Sequence, residues 1–230
     1  MASIDDLATL EAQLIELARQ LSSDPSLRLA APFVSGSLAA QDDTDILLVG
    51  KATAGEWYSH NYSFDPSPEA RRSCTVDFLR WVASGGYKSA FWSFAKGISA
   101  KTARDGASPL SNLVWSNVAK LGVTVGNPEG RVLAAQTGRC AELLAAEIAY
   151  YKPKIVVFVT GSYGGAIIEK ATGTQPTAWE HSATGSAWLR AQDGYPPMLL
   201  LPHPQGKSRE KTETWIATVA RLAGGENIQA

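Results

Sequence analysis

Three loop segments carry residues whose types and spacing suit chemistry. The first is Gly50-Lys51-Ala52-Thr53-Ala54-Gly55-Glu56-Trp57-Tyr58. Small residues let backbone come close to a ligand, and the amides of such a loop can hold an anion or a water. Lys51, Thr53 and Glu56 are its polar candidates. No Gly-Lys-Ser/Thr closes the loop, so the Walker pattern is absent, and a plain glycine-containing turn between strand and helix accounts for it equally. The second is Asn117, which follows Trp115-Ser116 in an apolar stretch. A carboxamide has two N–H donors and two acceptor lone pairs and can grip the edge of a base with both. The alternative is a buried Asn bonded to backbone. The third is Pro202-His203-Pro204-Gln205-Gly206-Lys207. An imidazole between two prolines is held stiffly, which suits a group that must donate one aimed hydrogen bond. A helix starting near Lys207 would add free amides and a cation for a phosphate, and the alternative is a surface turn with a solvated His.

A fourth segment, Thr160-Gly161-Ser162-Tyr163-Gly164, approaches the nucleophile elbow Gly-x-Ser-x-Gly, with Thr160 where the first Gly would stand. Ser162, Asp193 and His203 also follow the chain order of an α/β-hydrolase triad, so a serine hydrolase using Ser162 is the rival reading. Against it, few strands precede the elbow, no HGGG-type oxyanion motif is present, and Gly161 as a simple turn explains the same residues.

These loops must be placed by something, and the hydrophobic pattern indicates what. Residues 3–22 repeat Leu7, Leu10, Leu14, Leu17 and Leu21 at helical spacing. Residues 68–84, 89–98, 131–151 and 207–223 also read as helices, and a short one follows Gly161 up to about Ala171. Residues 45–50, 112–118, 154–160 and 198–201 are short, largely apolar runs, the pattern of strands buried on both faces. Residues 31–40 read as loop, and 177–192 as a small hairpin or irregular chain. Strands alternating with helices predict βα units and a parallel sheet covered on both sides. Ligands bind such sheets at the carboxyl ends of the strands, where the four loops fall. With no repeat and no long linker, 1–230 is expected to be a single domain, with the acidic helix of 1–25 packed on it.

Composition narrows the classes. The chain has 230 residues, 45% hydrophobic and 19% charged, which excludes a disordered charged tail. No apolar run is long enough for a membrane helix, the first residues do not read as a signal peptide, and the cytoplasm is the expected location. Cys74 and Cys140 sit in helical patterns and are expected as two buried free thiols, with no metal site. The net charge of −1 hides an asymmetry: residues 1–46 hold eight acids and two bases, and the remaining 184 residues carry +5. The body therefore permits an anionic ligand, and removing residues 1–25 is expected to strengthen any DNA affinity at low salt.

In order and spacing, the strand ending in Gly50-Lys-Ala-Thr-Ala-Gly55, then Phe91-Trp92-Ser-Phe94, Trp115-Ser-Asn117-Val-Ala-Lys120, Lys152-Pro-Lys-Ile-Val-Val-Phe-Val-Thr-Gly161 and Leu-Leu-Leu-Pro202-His203-Pro204 resemble the uracil-DNA glycosylase superfamily. The likeness covers roughly 45–210 and is closest to divergent, poorly characterised bacterial and phage branches. It implies a three-layer αβα sandwich with a short, mainly parallel four-stranded sheet, no metal or cofactor, and a DNA substrate, single strands included, or another nucleobase-containing ligand. It implies that Gly50 to Gly55 form the water-activating loop, with Glu56 or Thr53 holding the water. Asn117 would read the flipped base, and His203 would bond the base oxygen as the glycosidic bond breaks. Trp57, Tyr58 or Tyr62 would stack on the base, and Lys51, Gln205, Gly206, Lys207 and Arg209 would meet phosphates. The chain departs from the family by Lys51 after the first Gly, where an acid or amide is usual, by Thr-Ala-Gly for Pro-Gly, and by Gln205 in place of Ser. A base-binding member without turnover is the alternative implied by Lys51, and a Schiff-base role for Lys51 needs a burial-lowered pKa.

Overall fold

The computed structural model describes residues 3–39, 44–53, 67–182, 185–189 and 195–226. Among them are six α-helices: α1 (Ile4–Ser22), α2 (Pro68–Ala83), α3 (Ala90–Thr102), α4 (Gly130–Tyr151), α5 (Gly165–Thr172) and α6 (Arg209–Ala223). The strands are β1 (Leu29–Pro32), β2 (Gly36–Ser37), β3 (Ile46–Gly50), β4 (Leu113–Asn117), β5 (Leu121–Val123), β6 (Ile155–Phe158), β7 (Glu180–His181), β8 (Ala187–Leu189) and β9 (Met198–Leu200). Serine starts four of the helices. Ser3, Ser67, Ser89 and Ser208 each accept a first-turn N–H at the N-cap of α1, α2, α3 and α6.

The protein is α/β, but its sheet is larger than expected. Seven strands run in the order β2-β4-β3-β6-β9-β8-β7. The central pairs β4–β3, β3–β6 and β6–β9 are parallel, while β2 and the β8–β7 pair are antiparallel additions at the two edges. The expected short four-stranded sheet is therefore corrected to a seven-stranded mixed one. Residues 31–40, expected as loop, contribute β2 and the end of β1, and β1 pairs with β5 in a separate two-stranded sheet. These strands are two to four residues long, too short to show a period in sequence.

Strand pleating divides the core in two. Ile46, Leu48, Leu113, Trp115, Ile155 and Val157 pack with α2, α3 and α6. Leu47, Val49, Val114, Val156 and Phe158 pack with α1, α4 and α5 on the other face. The acidic α1 belongs to this second layer, with Leu7, Leu14 and Ala18 fully buried. Cys140 is buried, whereas Cys74 is only half-buried, against expectation; both are free thiols. Among the described residues, no helix is long and apolar enough to cross a membrane.

Candidate functional site

The parallel register of β3 and β4 places Gly50 opposite Asn117. Beyond the sheet the two chains stay side by side: the N–H of Val118 donates to the Gly50 carbonyl and that of Ala119 to the Lys51 carbonyl, both at 2.9 Å. The ends of β6 and β9 are joined in the same way, with the Gly161 N–H donating to the Leu201 carbonyl at 2.9 Å. A cleft of about 560 Å³ opens at this carboxyl edge. Gly50, Lys51, Thr53, Asn117, His203 and Gln205 line it, facing an aromatic wall from α2, α3 and the chain between them.

Asn117 is 2% exposed, and its Nδ2 has no hydrogen-bond partner. Leaving such a donor unpaired costs about 1–3 kcal/mol, which a folded protein tolerates where a ligand completes the bond. The Trp115 Nε1 at the same cleft and the Thr53 hydroxyl are likewise buried without partners. Gly50 makes room for Asn117: a Cβ there would lie 2.5 Å from the Asn117 Oδ1 and 3.3 Å from the Phe91 ring. Gly122 does the same for Thr53, whose carbonyl oxygen would sit 2.0 Å from an added Cβ.

The segment that bears Asn117 is anchored from the opposite side of the sheet. The Ser116 hydroxyl donates to the Glu147 carboxylate at 2.7 Å, and the Lys120 ammonium meets both Glu147 oxygens at 2.7 and 2.8 Å. Lys120 and Glu147 are each 1% exposed. Such a pair adds little net stability, but breaking it would leave a buried charge, so it holds one arrangement of the 116–120 chain.

His203 is half-buried, and its Nδ1 accepts the Gln205 backbone N–H at 3.2 Å. That bond assigns the ring proton to Nε2. Burial, and then the nearby positive charge of Lys51, hold the His203 pKa below its ordinary value. The imidazole is thus a neutral Nε2–H donor at the cleft. The Phe91 ring lies near-parallel to it, with centroids 6.4 Å apart and planes 20° apart.

Of the residues singled out in sequence, the fold brings together Gly50, Lys51, Thr53, Asn117, His203 and Gln205. Gly206 and Lys207 lie outside the cleft lining, in an exposed turn where the Lys207 N–H donates to the Pro204 carbonyl. The helix expected near Lys207 begins at Arg209, and the Ser208 side chain takes one of its first-turn N–H groups. Arg209 pairs with Glu213. Gly55, Glu56, Trp57, Tyr58, Tyr62 and Asp193 lie outside the described residues. Ser162 is exposed, has no left-handed φ of the kind a strained elbow imposes, and is not part of the cleft.

The aromatic wall was not expected. Phe91, Trp92, Phe78, Trp81, Tyr87 and Trp115 all line the cleft. A signal for it exists: residues 78–92 hold five aromatics in 15 residues, against 9% aromatics over the chain. Among the described residues, no group of three His, Cys, Asp or Glu is placed to hold a metal. The chain matches no protein-family model and no curated protein.

Proposed function

We propose that the cleft binds a nucleobase flipped out of DNA and that the protein is a DNA glycosylase-like hydrolase, of the kind the loop motifs resemble. The observation that carries the reading is the buried, unpartnered carboxamide N–H of Asn117 in a cleft that also holds a neutral imidazole donor and an aromatic ring. A base stacked on Phe91 presents its edge to Asn117 and a carbonyl oxygen to the His203 Nε2–H. As the bond from C1′ to the base nitrogen breaks, negative charge moves onto the base, and the fixed donor stabilises it there. Water supplies the oxygen that bonds to C1′, and its proton ends on the departing base. Thr53 lines the cleft, and its buried, unpartnered hydroxyl is the group that would orient that water.

Binding without turnover is the second reading. It is favoured by one observation: among the described residues that line the cleft, Lys51 stands after Gly50 and no carboxylate is present to activate water. Incubation with single- and double-stranded DNA containing uracil, hypoxanthine or xanthine separates the two. A glycosylase yields alkali-labile abasic sites, lost by a hundredfold or more in Asn117→Ala and His203→Ala. Binding that Asn117→Ala weakens, with no abasic product, establishes the second reading. Absence of both removes the nucleobase assignment.

A further inference from the structure

We infer that Ser116, Lys120 and Glu147 are positioning residues for the cleft: their buried contact behind β4 sets the two unpartnered N–H donors, Trp115 Nε1 and Asn117 Nδ2, that flank Ser116 on the strand. The inference rests on the reading of the cleft as a nucleobase pocket. Successive side chains of a strand point to opposite faces. Trp115 and Asn117 accordingly line the cleft, while Ser116 between them reaches Glu147 on α4. Ser116 is fully buried, and its hydroxyl is used in both capacities. It donates to the Glu147 carboxylate and accepts from the Lys120 ammonium, which in turn meets both Glu147 oxygens. One closed set of bonds thus fixes the residue between the two donors.

The same side of α4 grips the chain that follows. Gln136, Cys140 and Glu147 stand four and seven residues apart, on one face of the helix. The Gln136 carboxamide accepts the Leu121 N–H at 2.8 Å and donates to the Leu121 carbonyl at 2.9 Å, and the Cys140 sulfur accepts the Lys120 N–H at 3.4 Å. A second line of contact runs from Lys120 through aromatic rings. Its ammonium lies 5.7 Å from the centroid of Phe33, whose ring meets that of Trp115 edge-on at 4.7 Å. One buried cation therefore backs Asn117 through Ser116 and Trp115 through Phe33. Stability alone does not account for it. The layer around it is built from Val114, Val118, Leu143 and Leu144, and apolar side chains in place of the ion pair would hold that layer as well or better. A fixed pair adds a single geometry, and the unpartnered donors beside it are the atoms that gain from one, since a donor already in place loses less freedom when a ligand arrives.

Two variants test the anchor. Ser116→Ala cuts the link to the strand and leaves the charges paired, because Lys120 bonds both Glu147 oxygens. Lys120→Met with Glu147→Met removes the pair and leaves no charge behind. Each is read by its melting temperature and by its affinity for fluorescein-labelled single-stranded oligodeoxynucleotides carrying uracil, hypoxanthine or xanthine. A third readout is the ¹H–¹⁵N signals of the Asn117 carboxamide and the Trp115 indole, assigned with Asn117→Ala and Trp115→Phe. The Trp179 indole, buried on the α4 face of the sheet, is the control. Both variants are expected to keep the melting temperature, to lose about tenfold in affinity, and to shift or split the Asn117 and Trp115 signals while that of Trp179 stays in place. Unchanged affinity, unmoved Asn117 and Trp115 signals, or movement of Trp179 along with them overturns the positioning role. Unfolding of both variants overturns it too, because the seam would then carry the fold. If the unaltered protein binds none of the oligonucleotides, the nucleobase reading falls, and the side-chain signals alone decide the anchor.

Discussion

At the scale of single residues, the cleft is defined by what its polar atoms lack. Asn117 Nδ2, Trp115 Nε1 and the Thr53 hydroxyl are buried and unpartnered at the cleft, whereas the buried Gln136 carboxamide is engaged with backbone; the Ser35 hydroxyl and the Trp179 and Trp215 indole N–H groups are buried without partners elsewhere in the fold. His203 differs because one of its nitrogens is used and the other is left for the ligand. Its depressed pKa has a testable sign. Burial contributes most and Lys51 second, and both disfavour the imidazolium. Base binding that needs the neutral ring is therefore expected to persist as pH falls past the ordinary histidine range and to weaken only below it. In Lys51→Met the second cause is gone, so the His203 pKa should move part of the way up and the acid limb of binding should move with it. An NMR titration of the imidazole Cε1–H, assigned with His203→Gln, reads both. An unmoved titration would show that Lys51 does not face the ring.

Elements position these residues through register. Parallel pairing brings Gly50 level with Asn117, and the absent Cβ lets the side chain and the Phe91 ring close over the strand end. Gly50→Ala is expected to cost about 1–3 kcal/mol of stability, because the overpacked atoms must shift, and to weaken base binding at least tenfold. Gly138→Ala is the contrast. That glycine is exposed within α4, a Cβ there meets nothing, and its φ is not left-handed, so the change should stabilise by about 0.5–1 kcal/mol. Urea unfolding of both variants checks the pair. The two glycines also mark what sequence can carry. Ile46–Gly50, Leu113–Asn117, Ile155–Phe158 and Met198–Leu200 were legible because three to five apolar residues in a row between loop signals mean a buried strand, and the site loops at their ends followed from that. The edge strands Gly36–Ser37 and Leu121–Val123 were not, being too short for a pattern. The aromatic wall was missed because a helix such as Pro68–Ala83 offers several apolar residues, and only its packing against the sheet decides that Phe78 goes inward while Trp81 stays at the rim.

For the whole molecule, the question is what the charge asymmetry does. The acidic segment read as a screen over a basic body, removable by truncation at residue 25. Its position argues otherwise. The helix Ile4–Ser22 packs on the sheet face opposite the aromatic wall, and its Glu11 carboxylate meets Arg72 at 2.8 and 3.0 Å. Removing it would strip Leu7, Leu14 and Ala18 from the core. Each large-to-small change of that kind costs about 2–5 kcal/mol, so the truncation would unfold the protein before it reported on charge. Point changes are the sound test. Asp5 and Glu16 are exposed on that helix, across the sheet from the cleft. At 0.1 M salt, with a screening length of about 10 Å, Asp5→Asn with Glu16→Gln should leave oligonucleotide affinity unchanged. The cations at the cleft, Lys51 in its lining and Lys88 exposed between the lining residues Tyr87 and Ser89, should behave differently. Each contact with a single-strand phosphate contributes about −0.7 to the slope of log affinity against log salt, so Lys51→Met and Lys88→Met should each flatten the slope by about that amount. A slope that stays constant in both variants, or one that changes with Asp5 and Glu16, would place the phosphates elsewhere on the surface.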